Sequence, residues 1–229
     1  MLKSKKVRVI AIDGPASSGK STTARLVAGR LGYLYLDTGA MYRAITLKAL
    51  RAGVDLDDEK ALEKLARDST LRMSFENEVP RVFLNGEDVT SQIRSPEVSD
   101  SVSKVSAYPG VRGAMVALQR EFAKEGGIVA EGRDIGTVVF PGAEVKIFLT
   151  CDLKERTKRR YLELESQGIS RSPDEIRENL SKRDEIDSNR ESSPLLEAEE
   201  AVVVDTTNLT IEEQVEEVLR RLNSDSEVT

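Results

Sequence analysis

Ile10-Ala11-Ile12-Asp13-Gly14-Pro15-Ala16-Ser17-Ser18-Gly19-Lys20-Ser21-Thr22 decides the fold. The run from Val7 to Ile12 is short, apolar and β-branched, as expected of a buried strand, and Asp13-Gly14-Pro15 turns it into a loop. From Ser21 to Leu31, Leu26, Val27 and Leu31 recur at helical spacing until Gly32 stops the pattern. Between strand and helix, Gly14 to Ser21 matches G-x-x-x-x-G-K-[ST] at every fixed position. Glycines let successive backbone N–H groups converge on one anion, and the positive end of the helix adds to them. Gly14, Pro15, Ala16, Ser17, Ser18, Gly19, Lys20, Ser21 and Thr22 are thus expected to cradle nucleotide phosphates. Lys20 would reach the β- and γ-phosphates, Ser21 would ligate Mg²⁺, and Thr22 would approach the α-phosphate.

Outward from this loop, further buried strands are expected at Tyr33–Leu36, Ile128–Ala130, Val145–Leu149 and Ala201–Val204. Helical patterns fill Gly39–Ala52, Asp57–Asp68, Pro109–Lys124, Leu153–Ser166, Pro173–Glu191 and Ile211–Leu222. Ser172-Pro173 forms a good cap and first turn, and Thr210 with Glu213 forms a capping box. Alternation of strands and helices indicates an α/β chain whose five-stranded parallel sheet is covered on both faces. Leu71–Phe75, Arg81–Leu84 and Glu87–Val89 break that rhythm as a small antiparallel insertion, with Asn85-Gly86 as a hairpin turn. The polar ends, Met1 to Lys6 and Asn223 to Thr229, are expected to fray.

With 39% hydrophobic and 32% charged residues, the 229-residue chain reads as a soluble, globular, cytoplasmic protein. It lacks an apolar run long enough for a leader or a membrane span. The absence of histidine removes the commonest general base, and one cysteine (Cys151) offers neither an internal disulfide nor a metal cluster. A net charge of −6 argues against a nucleic-acid partner.

The guanine-reading N-K-x-D and D-x-x-G segments are both missing, leaving a compact small-molecule kinase. Arg156, Arg159 and Arg160 share one helix face, and Arg183, Asp187 and Arg190 another. Arg43, Arg112 and Arg133 lie near element ends. Each face reads either as plain solvated charge or as guanidinium forks aimed at phosphate oxygens. Arg133-Asp134 follows a strand directly, where ligands of open α/β sheets gather. Asp37 either orients a magnesium-bound water or caps the next helix. An acceptor that is itself a phosphate needs positioning and charge neutralisation rather than a base, which suits a chain without histidine.

IDGPASSGKST (Ile12–Thr22), LDTGAMYRA (Leu36–Ala44), EGRDIGTVVFP (Glu131–Pro141), KRDEIDSNR (Lys182–Arg190) and VVVDTTNL (Val202–Leu209) together resemble the bacterial cytidylate kinases of the nucleoside-monophosphate kinase superfamily. The resemblance runs from Val7 to Leu222. It implies a three-layer P-loop kinase fold with a helical lid, acting as a monomer on ATP and CMP or dCMP with Mg²⁺. By position it gives Ser103, Arg112 and Asp134 to cytosine, and Tyr42, Asp187 and Arg190 to the sugar. Arg43, Arg133 and Arg183 would hold the acceptor phosphate, and Thr38 joins this acceptor group. Arg156, Arg159 and Arg160 would serve the transferring phosphates, with Arg156 on the ATP side. Ser103 also has the reading of an ordinary polar helix residue. The implied division is 1–36, 104–152 and 173–229 as the ATP-binding core, 37–103 as the CMP-binding part with the insertion at 71–89, and 153–172 as the lid.

Overall fold

Residues 10–12 of the opening strand are wholly buried, and their alternation sets up two cores at once. Ile10 and Ile12 point into one apolar layer, with Val27, Ile147, Leu149, Val215 and Val218. Ala11 points into the other, with Leu36, Met41, Ile45, Leu62, Met115, Ile128 and Ile135. A strand covered on both faces needs this continuous apolar character. The computed structural model describes residues 9–76 and 79–224. The expected fraying of the polar ends lies outside these residues, apart from Asn223 and Ser224, which close the last helix.

In chain order the first elements are β1 (Val9–Asp13), α1 (Lys20–Leu31), β2 (Leu34–Asp37), α2 (Thr38–Arg51), α3 (Glu59–Arg67), β3 (Leu71–Glu76), β4 (Val79–Leu84) and β5 (Glu87–Asp88). There follow α4 (Pro96–Val105), α5 (Pro109–Phe122), β6 (Ile128–Gly132), β7 (Val145–Thr150), α6 (Leu153–Ser166), α7 (Pro173–Asn189), β8 (Val202–Asp205) and α8 (Ile211–Ser224). The parallel sheet runs β2-β6-β1-β7-β8, and β3-β4-β5 form a separate antiparallel sheet. The five-stranded sheet and the three-stranded insertion both stand as expected. The expected capping box of Thr210 and Glu213 forms ahead of α8, and the expected Ser172 cap on α7 proves to be a capping box as well, with Glu175.

The differences are local. Helix α3 starts two residues later than its pattern because Asp58 turns outward to cap it, accepting from Ala61 N at 3.0 Å. Helix α5 stops at Phe122 and tightens into a 3₁₀ turn. Helix α4 has no counterpart among the expected elements. Ser, Asp and Val are weak helix formers, so its stability comes from Val98, Val102 and Val105, buried along one face, and from Ser95 capping ahead of Pro96. The second omission is a π-helical turn at Ile135–Val139, directly after Arg133-Asp134.

At the β4–β5 turn Asn85 and Gly86 have φ of 51° and 88°, the positive values that an Asn-Gly hairpin supplies. Asn85 Oδ1 also accepts from Thr70 N at 2.9 Å. A Cβ at Gly86 meets nothing within 4 Å, so Gly86→Ala tests backbone strain alone. It should cost about 1 kcal/mol, lowering the melting temperature by roughly 2–4 °C in a chain of this size. A calorimetric scan showing no decrease would reject the left-handed turn.

Candidate active site

The chain leaves β1 at Gly14, whose φ is 145° and where a Cβ would stand 2.1 Å from the Leu149 carbonyl oxygen. Only glycine passes this end of β7. Ser17 (φ 60°) and Gly19 (φ 100°) complete a curl that enters α1 with no side-chain cap, so the first amides of α1 are left for an anion. The loop's carbonyls are tied from behind. Lys20 Nζ donates to Pro15 O at 2.5 Å, and Arg156 Nη1 to Ala16 O at 3.3 Å. Ser18 O accepts from Thr206 Oγ1 at 2.8 Å and from Arg159 Nη1 at 3.4 Å. Lys20 is buried, and desolvation reinforced by Arg133 lowers its pKa to about 7, with Glu131 and Asp13 opposing.

A second cleft opens beside this loop, at the carboxyl ends of the neighbouring strands β6 and β2. It is lined by Thr38, Tyr42, Arg43, Ser103, Arg112, Arg133, Asp134, Arg183, Asp187 and Arg190. All ten sequence-derived acceptor candidates therefore share one hollow, although they come from α2, α4, α5, α7 and the segment after β6. Arg112 donates through Nη2 to Asp134 Oδ2 and through Nη1 to Ser106 O at 3.0 Å. Arg133 Nε donates to Asp187 Oδ2 at 2.7 Å. Arg190 stands 3.8 Å from both Asp134 and Asp187. Opposed charges thus hold each guanidinium, and Arg133 pulls the Asp187 carboxyl below the usual range against its burial.

Arg43 and Arg183 differ. Burial and the neighbouring guanidiniums push Arg43 down to about 9 and Arg183 down to about 10; Arg160 acts on both. Among the described residues Arg43 donates to neutral oxygens, Ser99 Oγ at 2.8 Å and Ile93 O at 3.4 Å, with Asp37 acting on it through space. This is a pocket of cations short of an anion. The three α6 arginines divide their reach. Arg156 contacts the loop and Asp184 at 2.7 Å, Arg159 contacts Ser18 and Thr206, and Arg160 pairs with Glu163 at 2.8 Å while its charge acts on Arg43 and Arg183.

Asp37 caps α2 through Ala40 N at 2.8 Å, which settles the helix-cap half of its two readings. Ser103 is a helix residue, buried on α4 and lining the cleft. Several site residues escaped the sequence reading. Glu131 is a buried carboxyl at the end of β6, raised by desolvation and by Asp37, and bonded to Ser21 and to Tyr35. Asp184, Thr206 and Ser106 hold Arg156, Arg159 and Arg112. Asp184 had a usable signal, its place one residue after Arg183 in the quoted KRDEIDSNR run. Thr206 had a similar signal, its place in the quoted VVVDTTNL run, and it uses both its hydroxyl and its carbonyl. Ser106 holds Arg112 through its backbone carbonyl, which no side-chain motif reports.

The Ser21 hydroxyl at the first turn of α1 bonds Glu131, which in turn has Asp37 near it, and these are hard oxygen donors. Such a set suits Mg²⁺, which keeps most of its waters and takes phosphate oxygens. Among the described residues no group of three or more acidic, Cys or His side chains could hold an ion by itself, and no helix is long and apolar enough to cross a membrane.

The family model for cytidylate kinase matches residues 10–224. A protein named cytidylate kinase from Geobacillus sp. (strain WCH70) is 51% identical over 214 residues, spanning 93% of this chain and 96% of that one. Another of that name from Ligilactobacillus salivarius (strain UCC118) is 51% identical over 210 residues, 92% and 94% of the two chains. A third, from Syntrophotalea carbinolica (strain DSM 2380 / NBRC 103641 / GraBd1), is 50% identical over 212 residues, 93% and 90%. With a phosphate loop, an arginine-lined cleft beside it and identity at half the aligned positions over nearly the whole length, the chain belongs to the cytidylate kinase family.

Proposed function

We propose that this chain transfers the γ-phosphoryl group of ATP to CMP or dCMP, giving ADP and CDP or dCDP. The observation that carries the reading is the adjacency of an anion nest after β1 and a guanidinium cluster in which Arg43 of α2 and Arg183 of α7 join Arg133 at the end of β6, the strand beside β1. Two phosphates bound there meet end to end. The acceptor phosphate enters between Arg43, Arg133 and Arg183, relieving the repulsion that lowers Arg43 and Arg183. The Asp134 carboxylate accepts from the exocyclic amino group of cytosine; a uracil carbonyl would leave it unpaired. Arg112 and Ser103 flank that base, Tyr42, Asp187 and Arg190 take the sugar, and Thr38 completes the acceptor side.

On the donor side, the residues Gly14 to Thr22 surround the phosphates, with every amide but that of Pro15 able to donate. Lys20 leaves Pro15 O for the β- and γ-oxygens, and contact with phosphate restores its full charge. Arg156, Arg159 and Arg160 gather charge on the transferring group from α6. Magnesium, brought with ATP, neutralises phosphate charge when bound; Ser21 would ligate it, with Asp37 and Glu131 close by. The acceptor oxygen is already ionised near neutrality, so the step needs alignment and exclusion of water but no base. The same reading takes the chain as a cytoplasmic monomer with small-molecule partners only. Residues 37–103 and the lid at 153–172 would close on a core of 1–36, 104–152 and 173–229.

One coupled assay of ADP release over CMP, dCMP, UMP, AMP, GMP and shikimate tests the assignment. Fast release with CMP and dCMP alone is expected, and indifference to the acceptor would refute it. Lys20→Ala should lower kcat by at least about a hundredfold while leaving the melting temperature in place; retained turnover would remove Lys20 from the donor site. Asp134→Asn should raise KM for CMP by about tenfold while KM for ATP moves less than about twofold. Equal losses on both substrates would count against base reading.

A further inference from the structure

Asp13 belongs to neither residue set above, yet its buried carboxylate stands between them. It is the last residue of β1 and is 3% exposed. Its Oδ1 accepts from Ile135 N and its Oδ2 from Gly136 N, each at 2.8 Å. Those amides open the π-helical turn that follows Arg133-Asp134. The end of the turn folds back, with Val138 N and Val139 N donating to Asp134 O at 2.9 and 3.1 Å. The first amides of a helical turn have no partner inside it, and Asp13 supplies both. The next peptide unit on its other side is Gly14, where the phosphate loop begins.

This arrangement is costly. Burial pushes the Asp13 carboxyl up to about 6 against the two amides, with Asp134 repelling it and Lys20 attracting it. Ending a strand does not require a buried carboxylate. What the carboxylate uniquely offers is two acceptor oxygens for two adjacent N–H donors on a neighbouring loop.

We propose that Asp13 is a positioning residue for phosphoryl transfer: by clamping the Ile135 and Gly136 amides, it sets Arg133 and Asp134 at a fixed distance from the phosphate loop that starts one residue later. The inference rests on the functional reading above, in which Arg133 and Asp134 face the acceptor. The clamp aligns acceptor oxygen and γ-phosphorus without touching either. Misplacement by about 1 Å is enough to cost on the order of a hundredfold in rate.

The test is Asp13→Asn in the full chain. One carboxylate oxygen becomes an NH₂ facing an N–H, so one clamp bond is lost. The expected result is a fall of about a hundredfold in kcat/KM for CMP, with kcat reduced and KM for CMP raised. The dissociation constant for ATP alone, measured by calorimetry, should stay within about twofold. Unchanged turnover would overturn the clamp, and so would a loss of ATP affinity matching the loss of CMP use, since that marks a scaffold residue. Asp13→Glu keeps the charge but displaces both oxygens by one methylene; it should show the same split and carries the test if the Asn variant does not fold. Wild type is assayed alongside. CDP formed by the variants at the wild-type rate defeats this inference alone, whereas no CDP from wild type defeats the functional reading.

Discussion

A phosphate cradle made of backbone can work only if its carbonyl oxygens are turned away from the anion and kept there, because every peptide carries an acceptor as well as a donor. That constraint organises this molecule. Ala16 and Ser18 each surrender a carbonyl to a donor behind the loop, and the donors come from α6 and the segment after β8. Gln214 on α8 adds another support, accepting from Thr23 Oγ1 at 2.9 Å. The side-chain acceptor sits where a Cβ at Gly19 would come within 2.6 Å of it. The glycine is therefore required twice, by its φ and by this close approach. The loop's shape is a property of the whole sheet, because three distant parts of the chain hold it.

The second consequence is electrostatic. A chain of net charge −6 collects its guanidiniums where the sheet ends. Those that shape the cleft are each answered by a carboxylate: Arg112 by Asp134, Arg133 by Asp187, Arg156 by Asp184. A buried pair of this kind contributes fixed geometry more than stability. Arg43 and Arg183 are lowered instead, first by burial and then by neighbouring guanidiniums, against Asp37 at the one and Asp187 and Asp184 at the other. Sites strained in this way are places where a fold gives up stability for binding. A dianion arriving there has lost repulsion to collect as well as hydrogen bonds to make.

Much of this was legible because it follows from local spacing. VRVIAI before a glycine loop, Asn85-Gly86 between alternating strands and Ser172-Pro173 before a periodic run each carry their own physics within a few residues. The acceptor residues were legible by their type and through resemblance. Their convergence depends on the order β2-β6-β1, which brings α2, α4 and α7 together over one strand end. What stayed hidden has a common cause. Helix α4 has poor propensity and forms because Val98, Val102 and Val105 are buried by tertiary contact; their i, i+4, i+7 spacing after Ser95-Pro96 was the available signal. The π-helical turn at Ile135–Val139 depends on Asp13, more than a hundred residues earlier in the chain, so no window of sequence contains both halves. Ser106 and Thr206 serve partly through carbonyls, and any residue type supplies those.

The contacts across the cleft are of a different grade from those on either side of it. Arg171, just beyond α6, places two bonds on Asp100 of α4 at 3.2 and 2.8 Å, and Asn179 of α7 adds a third at 3.2 Å. Both partners of the ion pair are substantially exposed, with 29% and 45% of their side chains open to solvent. Exposed pairs of this sort are worth about a kcal/mol or less, and salt weakens them further. The pairs inside the cleft, Arg112–Asp134 and Arg133–Asp187, are buried and rigid by comparison. Weak links join the segments proposed to close, and strong links set the geometry of the core they would close on. A transferase that must exclude water during the step and release two charged products afterwards needs that ordering. If the gradient were reversed, with a strong latch and loose guanidiniums, the site would retain its products and misalign its substrates.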